Sequence, residues 1–257
     1  MRVLFIGDIF SKPGLKVVQQ FVPKHRDSYD FIIANGENAA GGFGLTRRHF
    51  KQLTDLGVDV VTMGNHTWDR DDVTSIVEET PRLIRPLNYP PGTPGLGAAS
   101  FEAHNGERIT VAQALGQVYM NAVDCPFRAL DTVANELPKG ETLVVDFHAE
   151  ATSEKKSMGY HLRGRATAVI GTHTHVQTAD AAISQGTATI TDVGMTGVQD
   201  SAIGMDHRAV HQRFVTKMPI RFKPAEQEGT LCAVVIETEN GRATSIERIQ
   251  WRAGEDD

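Results

Sequence analysis

The chain has 257 residues, a formal net charge of −6, 40% hydrophobic residues and 23% charged residues. These proportions are those of a globular protein with a full core, and length alone does not separate one large domain from two small ones. The acidic balance argues against a broad surface for nucleic acid, so we expect no stable nucleic-acid binding. It is compatible with a small phosphorylated ligand, because a bound metal supplies positive charge locally.

The cysteines and the apolar runs indicate a cytoplasmic protein without a membrane anchor. Cys125 and Cys232 lie far apart and outside any CxxC pattern, so we expect reduced core residues rather than a disulfide. The opening apolar run, residues 3–6, is too short for a signal peptide and predicts a buried first strand. No uninterrupted apolar run approaches the ~20 residues that cross a bilayer.

Three predicted strands in the first quarter of the chain end in polar residues. The apolar runs are residues 3–6, 31–34 and 58–63, and helical patterns lie between them, the second of them capped by Thr46. This alternation makes the strands parallel neighbours whose carboxyl ends meet at one edge of a sheet. The polar residues at these strand ends are Asp8, Glu37, Asn38, Asn65 and His66.

The rest of the chain mixes helices with strands and two hairpins. We predict helices over 69–79, 126–137, part of 149–162 and 206–215, and strands over 143–148, 166–170 and 188–191. Asn105-Gly106 and Asn240-Gly241 predict hairpin turns, and a Pro- and Gly-rich loop spans 85–96. Without a linker or repeat, residues 1–257 are predicted to be one domain, and only the acidic tip 255–257 is expected to fray.

A histidine pair follows the strand predicted over 166–170. His173 and His175 stand two positions apart, and on an extended chain alternate side chains point to the same face. Neutral imidazole is a common metal ligand, although two exposed loop histidines would give the same pattern. Together with His148, which ends another predicted strand, the pair extends the polar set at the strand ends.

These side chains are too many for one tetrahedral zinc ion, which takes four ligands. They suit two ions that share a bridging carboxylate. Oxygen and imidazole ligands without cysteine favour iron, manganese or zinc over calcium. A pair of such ions is a standard device for hydrolysing phosphate esters.

The order of these motifs resembles the calcineurin-like metallophosphoesterases. That family has an Asp after the first strand, an acidic residue after the second, then Gly-Asn-His, a lone His, and Gly-x-His-x-His. The matching segments here are Gly7-Asp8, Gly36-Glu37-Asn38, Gly64-Asn65-His66, His148 and Gly171-Thr172-His173-Thr174-His175. The resemblance implies a four-layer α-β-β-α sandwich of two mixed sheets, an α/β fold.

Two departures from the usual family pattern point to one branch of it. Phe10 stands where the family usually has a histidine, and Glu37 replaces the usual bridging Asp. Asn38 could fill the position that Phe10 leaves without a ligand. These features, with segments 10–14, 147–155 and 192–197, resemble bacterial cyclic-nucleotide phosphodiesterases that carry a Gly-Glu-Asn motif.

The resemblance also implies the ligands of each ion. Two metal ions per chain are expected, with iron favoured and manganese or zinc possible. The first ion would be held by Asp8, Glu37, Asn38 and His175, and the second by Glu37, Asn65, His148 and His173. Glu37 would bridge them.

The implied activity is hydrolysis of cyclic nucleotides, with 2′,3′-cyclic monophosphates preferred. A hydroxide bridging the two metals would attack, and His66 would protonate the leaving oxygen. The alternative role for His66 is to brace Asn65. A phosphomonoesterase such as a nucleotidase, or a metal-dependent regulatory protein that binds a nucleotide and turns over slowly, are the rival functions. Amidohydrolases also use His-x-His, but on an early strand. A homo-oligomer is expected only from the family.

Other residues are weaker candidates for the substrate pocket. Gly42, in a glycine-rich loop, would let backbone amides approach phosphate, or form a plain turn. Phe43 could stack on a base or cover the core. Glu150 and Lys155 could line the pocket or form a solvated face. Asp192 and Thr196 could orient a ligand histidine or cap a turn.

Overall fold

Two six-stranded sheets form the centre of the molecule in the computed structural model, which describes residues 1–254. The acidic tip 255–257, predicted to fray, lies outside the described residues. In chain order the strands are β1 (Arg2–Ile6), β2 (Phe31–Asn35), β3 (Val60–Thr62), β4 (Leu83–Ile84), β5 (Ala98–Glu102), β6 (Arg108–Leu115), β7 (Thr142–His148), β8 (Ala168–Thr172), β9 (Ala182–Ser184), β10 (Thr187–Ile190), β11 (Leu231–Glu239) and β12 (Arg242–Trp251). The α-helices are α1 (Ser11–His25), α2 (Arg47–Asp55), α3 (Asp72–Glu79), α4 (Pro126–Glu136), α5 (Thr152–His161) and α6 (His207–Thr216).

Both sheets are mixed: in the first, β1 to β4 are parallel and β11 and β12 form an antiparallel edge, and in the second, a parallel centre has an antiparallel strand at each edge. The first has the order β12-β11-β1-β2-β3-β4 and the second β5-β6-β7-β8-β10-β9. The predicted parallel neighbours β1, β2 and β3 are confirmed, as are both hairpins, β5–β6 and β11–β12. The parallel strands of each sheet therefore end at one edge, as the alternation of elements predicts.

Apolar residues divide the molecule into four layers. One cluster between the sheets contains Phe5, Val111 and Ile170. A second lies between the first sheet and α1, α2 and α3, and a third between the second sheet and α4 and α5. The α-β-β-α sandwich is therefore confirmed. Within residues 1–254, no helix has both the length and the apolar character needed to cross a bilayer.

The sequence did not predict two short edge strands, β4 and β9. β4 has two residues and β9 has three, all three exposed, so neither carries a readable apolar period. The helix predicted over 206–215 forms as α6, but none of its residues is buried. Its apolar side chains are therefore not held by the main core.

Candidate metal centre and its pocket

The carboxyl ends of strands from both sheets meet at one point. Asp8 follows β1, Glu37 and Asn38 follow β2, and Asn65 follows β3. From the second sheet come His148, the last residue of β7, and the two histidines after β8. These side chains are largely withdrawn from solvent; Asp8, Glu37, Asn38, His148 and His175 are all buried.

Lone pairs converge on one nitrogen of His148. Its Nε2 lies 2.9 Å from Glu37 Oε1, 3.0 Å from Asn65 Oδ1 and 3.1 Å from His173 Nδ1. One ring nitrogen carries at most one hydrogen, so it cannot satisfy three acceptors. Ligand atoms of Glu37, His148 and His173 all lie within 4.8 Å of one another. A cation is the group that satisfies such a convergence.

Buried oxygens near this cluster have no hydrogen-bond partner. They are Asp8 Oδ1, Asn38 Oδ1 and Glu37 Oε1, whose contact with His148 is not aligned as a hydrogen bond. Buried polar atoms are normally partnered, so three such atoms at one site need a ligand. The donor set of carboxylate and amide oxygens with imidazole nitrogens fits iron, manganese or zinc.

The histidines offer a free nitrogen to the centre. His175 Nδ1 donates to the Ile203 carbonyl at 2.9 Å, so its Nε2 keeps a lone pair. His173 Nε2 lies 3.1 Å from a Glu150 carboxylate oxygen, which can only accept, so Nδ1 is the free atom. In each case the partner fixes the tautomer that metal binding requires.

Neighbouring charges and burial shift the pKa values of the residues in this cluster. Burial lowers the pKa of His148, but Glu37 and Asp8 outweigh it and raise that pKa to about 9. Burial raises the pKa of Glu37, but His148 outweighs it and the pKa falls to about 2. Burial and then His148 lower the pKa of His173 to about 3. His148 thus carries the proton that a metal ion would displace.

Asp8 is a buried carboxylate beside the loop that carries the histidine pair. Burial raises the pKa of Asp8, and His175 is the strongest of the groups that oppose the shift. The backbone amide of His173 donates to Asp8 Oδ2 at 3.3 Å. Asp8 Oδ1 also lies 3.8 Å from His148 Nδ1, so this carboxylate faces both His148 and the loop that carries the histidine pair.

A buried chain of hydrogen bonds holds His148. Its Nδ1 donates to the Thr172 hydroxyl at 2.8 Å, and that hydroxyl donates to Asp146 Oδ1 at 2.6 Å. Asp146 Oδ2 accepts from Thr62 at 2.6 Å and from Asn35 at 3.1 Å, both in the other sheet. Sequence reasoning missed Asp146, although an aspartate inside the apolar strand 143–147 was a readable signal. Burial raises its pKa to about 6.

The sequence predicted that the histidine pair lies on an extended chain, and this prediction is wrong. β8 ends at Thr172, and His173 and His175 have φ values of 93° and 67°. The two rings have different neighbours, since His173 Nδ1 lies 3.1 Å from His148 Nε2 and His175 Nδ1 lies 2.9 Å from the Ile203 carbonyl. Asp192 holds the loop, since its Oδ2 accepts from the Thr174 amide at 3.0 Å and hydroxyl at 2.6 Å.

A pocket of about 1000 Å³ opens onto the metal centre. Its predicted members His66, Phe43, Gly42 and Glu150 all line it. Lys155 does not, because its ammonium lies 2.7 Å from Asp192 Oδ2 in a buried ion pair. Thr196 also lies apart from the histidine side chains, since its hydroxyl bonds to the Cys232 carbonyl at 3.1 Å.

His66 stands at the edge of the pocket with a fixed orientation. Its Nδ1 lies 2.8 Å from Asp69 Oδ2, and its ring meets Phe43 edge-on at 5.0 Å between centroids. Its backbone amide donates to Glu37 Oε2 at 2.9 Å. Asp69 was missed in the sequence, where the spacing of three residues was the available signal. The ring can donate a proton to a group in the pocket while Asp69 holds it in place.

Comparisons with known proteins place the chain among phosphoesterases. A family model described as YmdB-like protein matches residues 4–249. A 2′,3′-cyclic-nucleotide 2′-phosphodiesterase of Bacillus subtilis is 47% identical over 97% of this chain and 96% of its own. A crystal structure of a hypothetical protein from Thermus thermophilus is 46% identical, with a TM-score of 0.93 over 98% of this chain and 99% of that one. A crystal structure described as a novel phosphatase from Mycoplasma pneumoniae is 31% identical, with a TM-score of 0.92 over 98% and 93%.

Proposed function

The chain belongs to the YmdB-like family of calcineurin-like metallophosphoesterases, and from this premise we propose that it is a phosphodiesterase of cyclic nucleotides. The preferred substrates are the 2′,3′-cyclic nucleoside monophosphates. The observation that carries the proposal is the convergence of Glu37, Asn65 and His173 on His148 Nε2, beside a pocket that Glu37 and His173 help to line. The name of the Bacillus subtilis relative supports the choice of substrate.

In this proposal Glu37 would contribute to both of two ion sites. Asp8, Asn38 and His175 would complete the first, and Asn65, His148 and His173 would complete the second. The unpartnered oxygens of Asp8 and Asn38 support the first set, and the contacts of His148 support the second. When bound, the ions lower the pKa of water and neutralise charge on the phosphoryl oxygens. Iron is the favoured metal, with manganese or zinc possible.

The chain's own contribution to the reaction is to orient the phosphate and move one proton. The oxygen of a water molecule forms a new bond to phosphorus while the bond from phosphorus to a ribose oxygen breaks; the water loses one proton to solvent, and His66 regains from solvent the proton that it gives up. The departing alkoxide leaves poorly and takes a proton from His66 as it departs. Asp69 keeps the His66 ring in place throughout. Because only one phosphorus–oxygen bond breaks, the product is a nucleoside phosphomonoester.

Substitution of His66 tests this role. We expect His66→Ala to lower kcat for 2′,3′-cyclic AMP by about 10²–10⁴-fold, because the alkoxide then leaves without its proton. His211→Ala is the control, since His211 is exposed on α6 and does not line the pocket. Metal content measured on all three proteins should be equal. Full hydrolysis by His66→Ala would exclude the role.

A phosphomonoesterase is the second candidate, favoured by the similarity to the Mycoplasma pneumoniae structure that is described as a phosphatase. Bis-p-nitrophenyl phosphate and p-nitrophenyl phosphate separate the two activities in one assay with each added metal. The phosphodiesterase proposal predicts that the diester is hydrolysed with the larger kcat/KM. A larger kcat/KM for the monoester would favour the second candidate.

We also propose that the enzyme works in the cytoplasm. Both cysteines, Cys125 and Cys232, are free, and burial raises the pKa of the Cys232 thiol to about 12. Reduced structural cysteines are typical of a reducing compartment. Fractionation of cells that express the protein would test the proposal.

A further inference from the structure

We propose that the substrate carries a second phosphate on the 5′ side of the cyclic-phosphate nucleotide, and that Arg213 and Lys217 bind it. The inference rests on the proposed function and concerns the part of the same pocket that Arg213 and Lys217 line. The smallest substrate that would use both parts of the pocket is a dinucleotide that ends in a 2′,3′-cyclic phosphate.

The pocket has cations far along the chain from its metal ligands. Arg213, in α6, and Lys217, just after it, line the same pocket as Glu37 and His175. They are the lysine and arginine side chains that line it among residues 1–254. Within the same residues, neither is paired with a carboxylate; each lies over an aromatic ring, Arg213 at 5.2 Å from the Phe222 centroid and Lys217 at 5.9 Å from that of Phe214.

The two cations enter the same pocket from adjacent positions in the fold. Arg213 lies in the last turn of α6, and Lys217 is the residue that caps this helix, with a left-handed backbone (φ 58°). The Lys217 amide donates to the Arg213 carbonyl at 2.9 Å, which closes this turn. A guanidinium and an ammonium presented together are a typical phosphate-binding pair.

The aromatic residues of the pocket favour a nucleotide over another phosphorylated ligand. Phe43 and Phe214 line the pocket and are 44% and 69% exposed, so part of each ring remains accessible to a ligand. Exposed rings interleaved with cations are the device by which proteins bind short single strands. A volume of about 1000 Å³ is at the upper end for small-molecule sites.

A cyclic mononucleotide would place no anion beside Arg213 and Lys217. Its one phosphate must occupy the metal centre for hydrolysis, so Arg213 and Lys217 would face only its base or ribose. A phosphate on the 5′ oxygen is the next negative charge along a nucleotide chain. The net charge of −6 argues against a broad basic surface that would bind a longer strand outside the pocket.

The test compares three substrates: 2′,3′-cyclic AMP, the same nucleotide with a 5′-phosphate, and adenylyl-adenosine 2′,3′-cyclic phosphate. We expect kcat/KM to be about tenfold higher for the two substrates with a second phosphate, and the gain to fall at high salt. A further gain for the dinucleotide over the 5′-phosphorylated mononucleotide would show that the second base also binds. In Arg213→Gln/Lys217→Gln the ratio between these substrates and 2′,3′-cyclic AMP should fall to near one.

The control is Arg221→Gln/Lys223→Gln, which removes the same two charges from exposed positions outside the pocket lining. It should keep the wild-type ratio. Equal kcat/KM for all three substrates, or an unchanged ratio in Arg213→Gln/Lys217→Gln, would overturn the inference while leaving the proposed function intact. If the metal-loaded wild type hydrolyses none of the three, the proposed function itself fails. Calorimetric binding of the corresponding phosphomonoester products gives a second readout, in which the product with a 5′-phosphate should bind more tightly.

Discussion

At the scale of single residues, the site depends on close packing around the Glu37 and His148 side chains. Gly64 shows this, because a Cβ added there would lie 2.3 Å from Glu37 Oε2 and 2.5 Å from His148 Nε2. No real Cβ approaches polar atoms so closely, and both neighbours are buried. The glycine of Gly-Asn-His is therefore required by the Glu37 and His148 side chains beside it rather than by backbone conformation.

Gly64→Ala should accordingly weaken metal binding. We expect the metal affinity to fall about tenfold or more, because Glu37 or His148 must leave its position. Gly159→Ala is the matched control, since its nearest neighbour is a Thr189 methyl group at 3.1 Å, far from the ligands. Titration of both proteins with manganese(II) measures the change. Equal affinity for the two variants would contradict this account of Gly64.

A buried amide on β6, within the second sheet, gives a substitution that should stabilise the protein. Gln113 is fully buried, and neither its Nε2 nor its Oε1 has a hydrogen-bond partner. We expect Gln113→Met to raise the free energy of unfolding by about 1 kcal/mol, because it removes unsatisfied polar atoms at similar volume. Urea denaturation measures this. Gln117→Met, at an exposed site where the amide bonds to Val123 at 2.8 Å, should give no gain. A loss of stability in Gln113→Met would mean that the amide is paired.

At the scale of elements, the loop after β8 decides where the ligands point. The residue types and spacing of His173 and His175 were readable in the sequence, but their backbone conformation was not. The loop is held by Asp192 from the segment after β10, a contact between residues 18 positions apart. Such long-range contacts override a local pattern of alternation. For the same reason Lys155, which spacing suggested for the pocket, pairs with Asp192 instead.

The ion pair of Lys155 and Asp192 should therefore matter for folding. The two side chains are 2% and 0% exposed. Lys155→Met leaves a buried carboxylate without its counterion, and we expect it to cost about 3–5 kcal/mol of stability. Lys156→Met is the control, since its pair with Asp180 is half exposed and should be worth about 1 kcal/mol or less. Thermal unfolding of the two variants distinguishes them, and equal shifts in Tm would count against the buried pair.

At the scale of the whole molecule, the site forms because parallel strands of both sheets have their carboxyl ends at the same place. The apolar runs and the two Asn-Gly turns made most strands and both hairpins predictable. The ligand types at strand ends were predictable for the same reason, because parallel strands bring their carboxyl ends together. The residues that orient these side chains were not predictable. Asp146 accepts hydrogen bonds from Asn35 and Thr62 of the other sheet, and the sequence pattern indicated Asp69 only as the start of a helix. The single domain and the homo-oligomer stay predictions.

The most direct test of the central claim is the metal content of the chain measured against its activity. Purified protein, reconstituted anaerobically with iron(II) or with manganese(II), is analysed by elemental mass spectrometry while hydrolysis of 2′,3′-cyclic AMP is followed. We predict that activity rises until about two ions per chain are bound, and that Glu37→Gln, which lacks the shared carboxylate, binds fewer ions and is inactive. Full activity with one ion per chain, or with none, would contradict the dinuclear site.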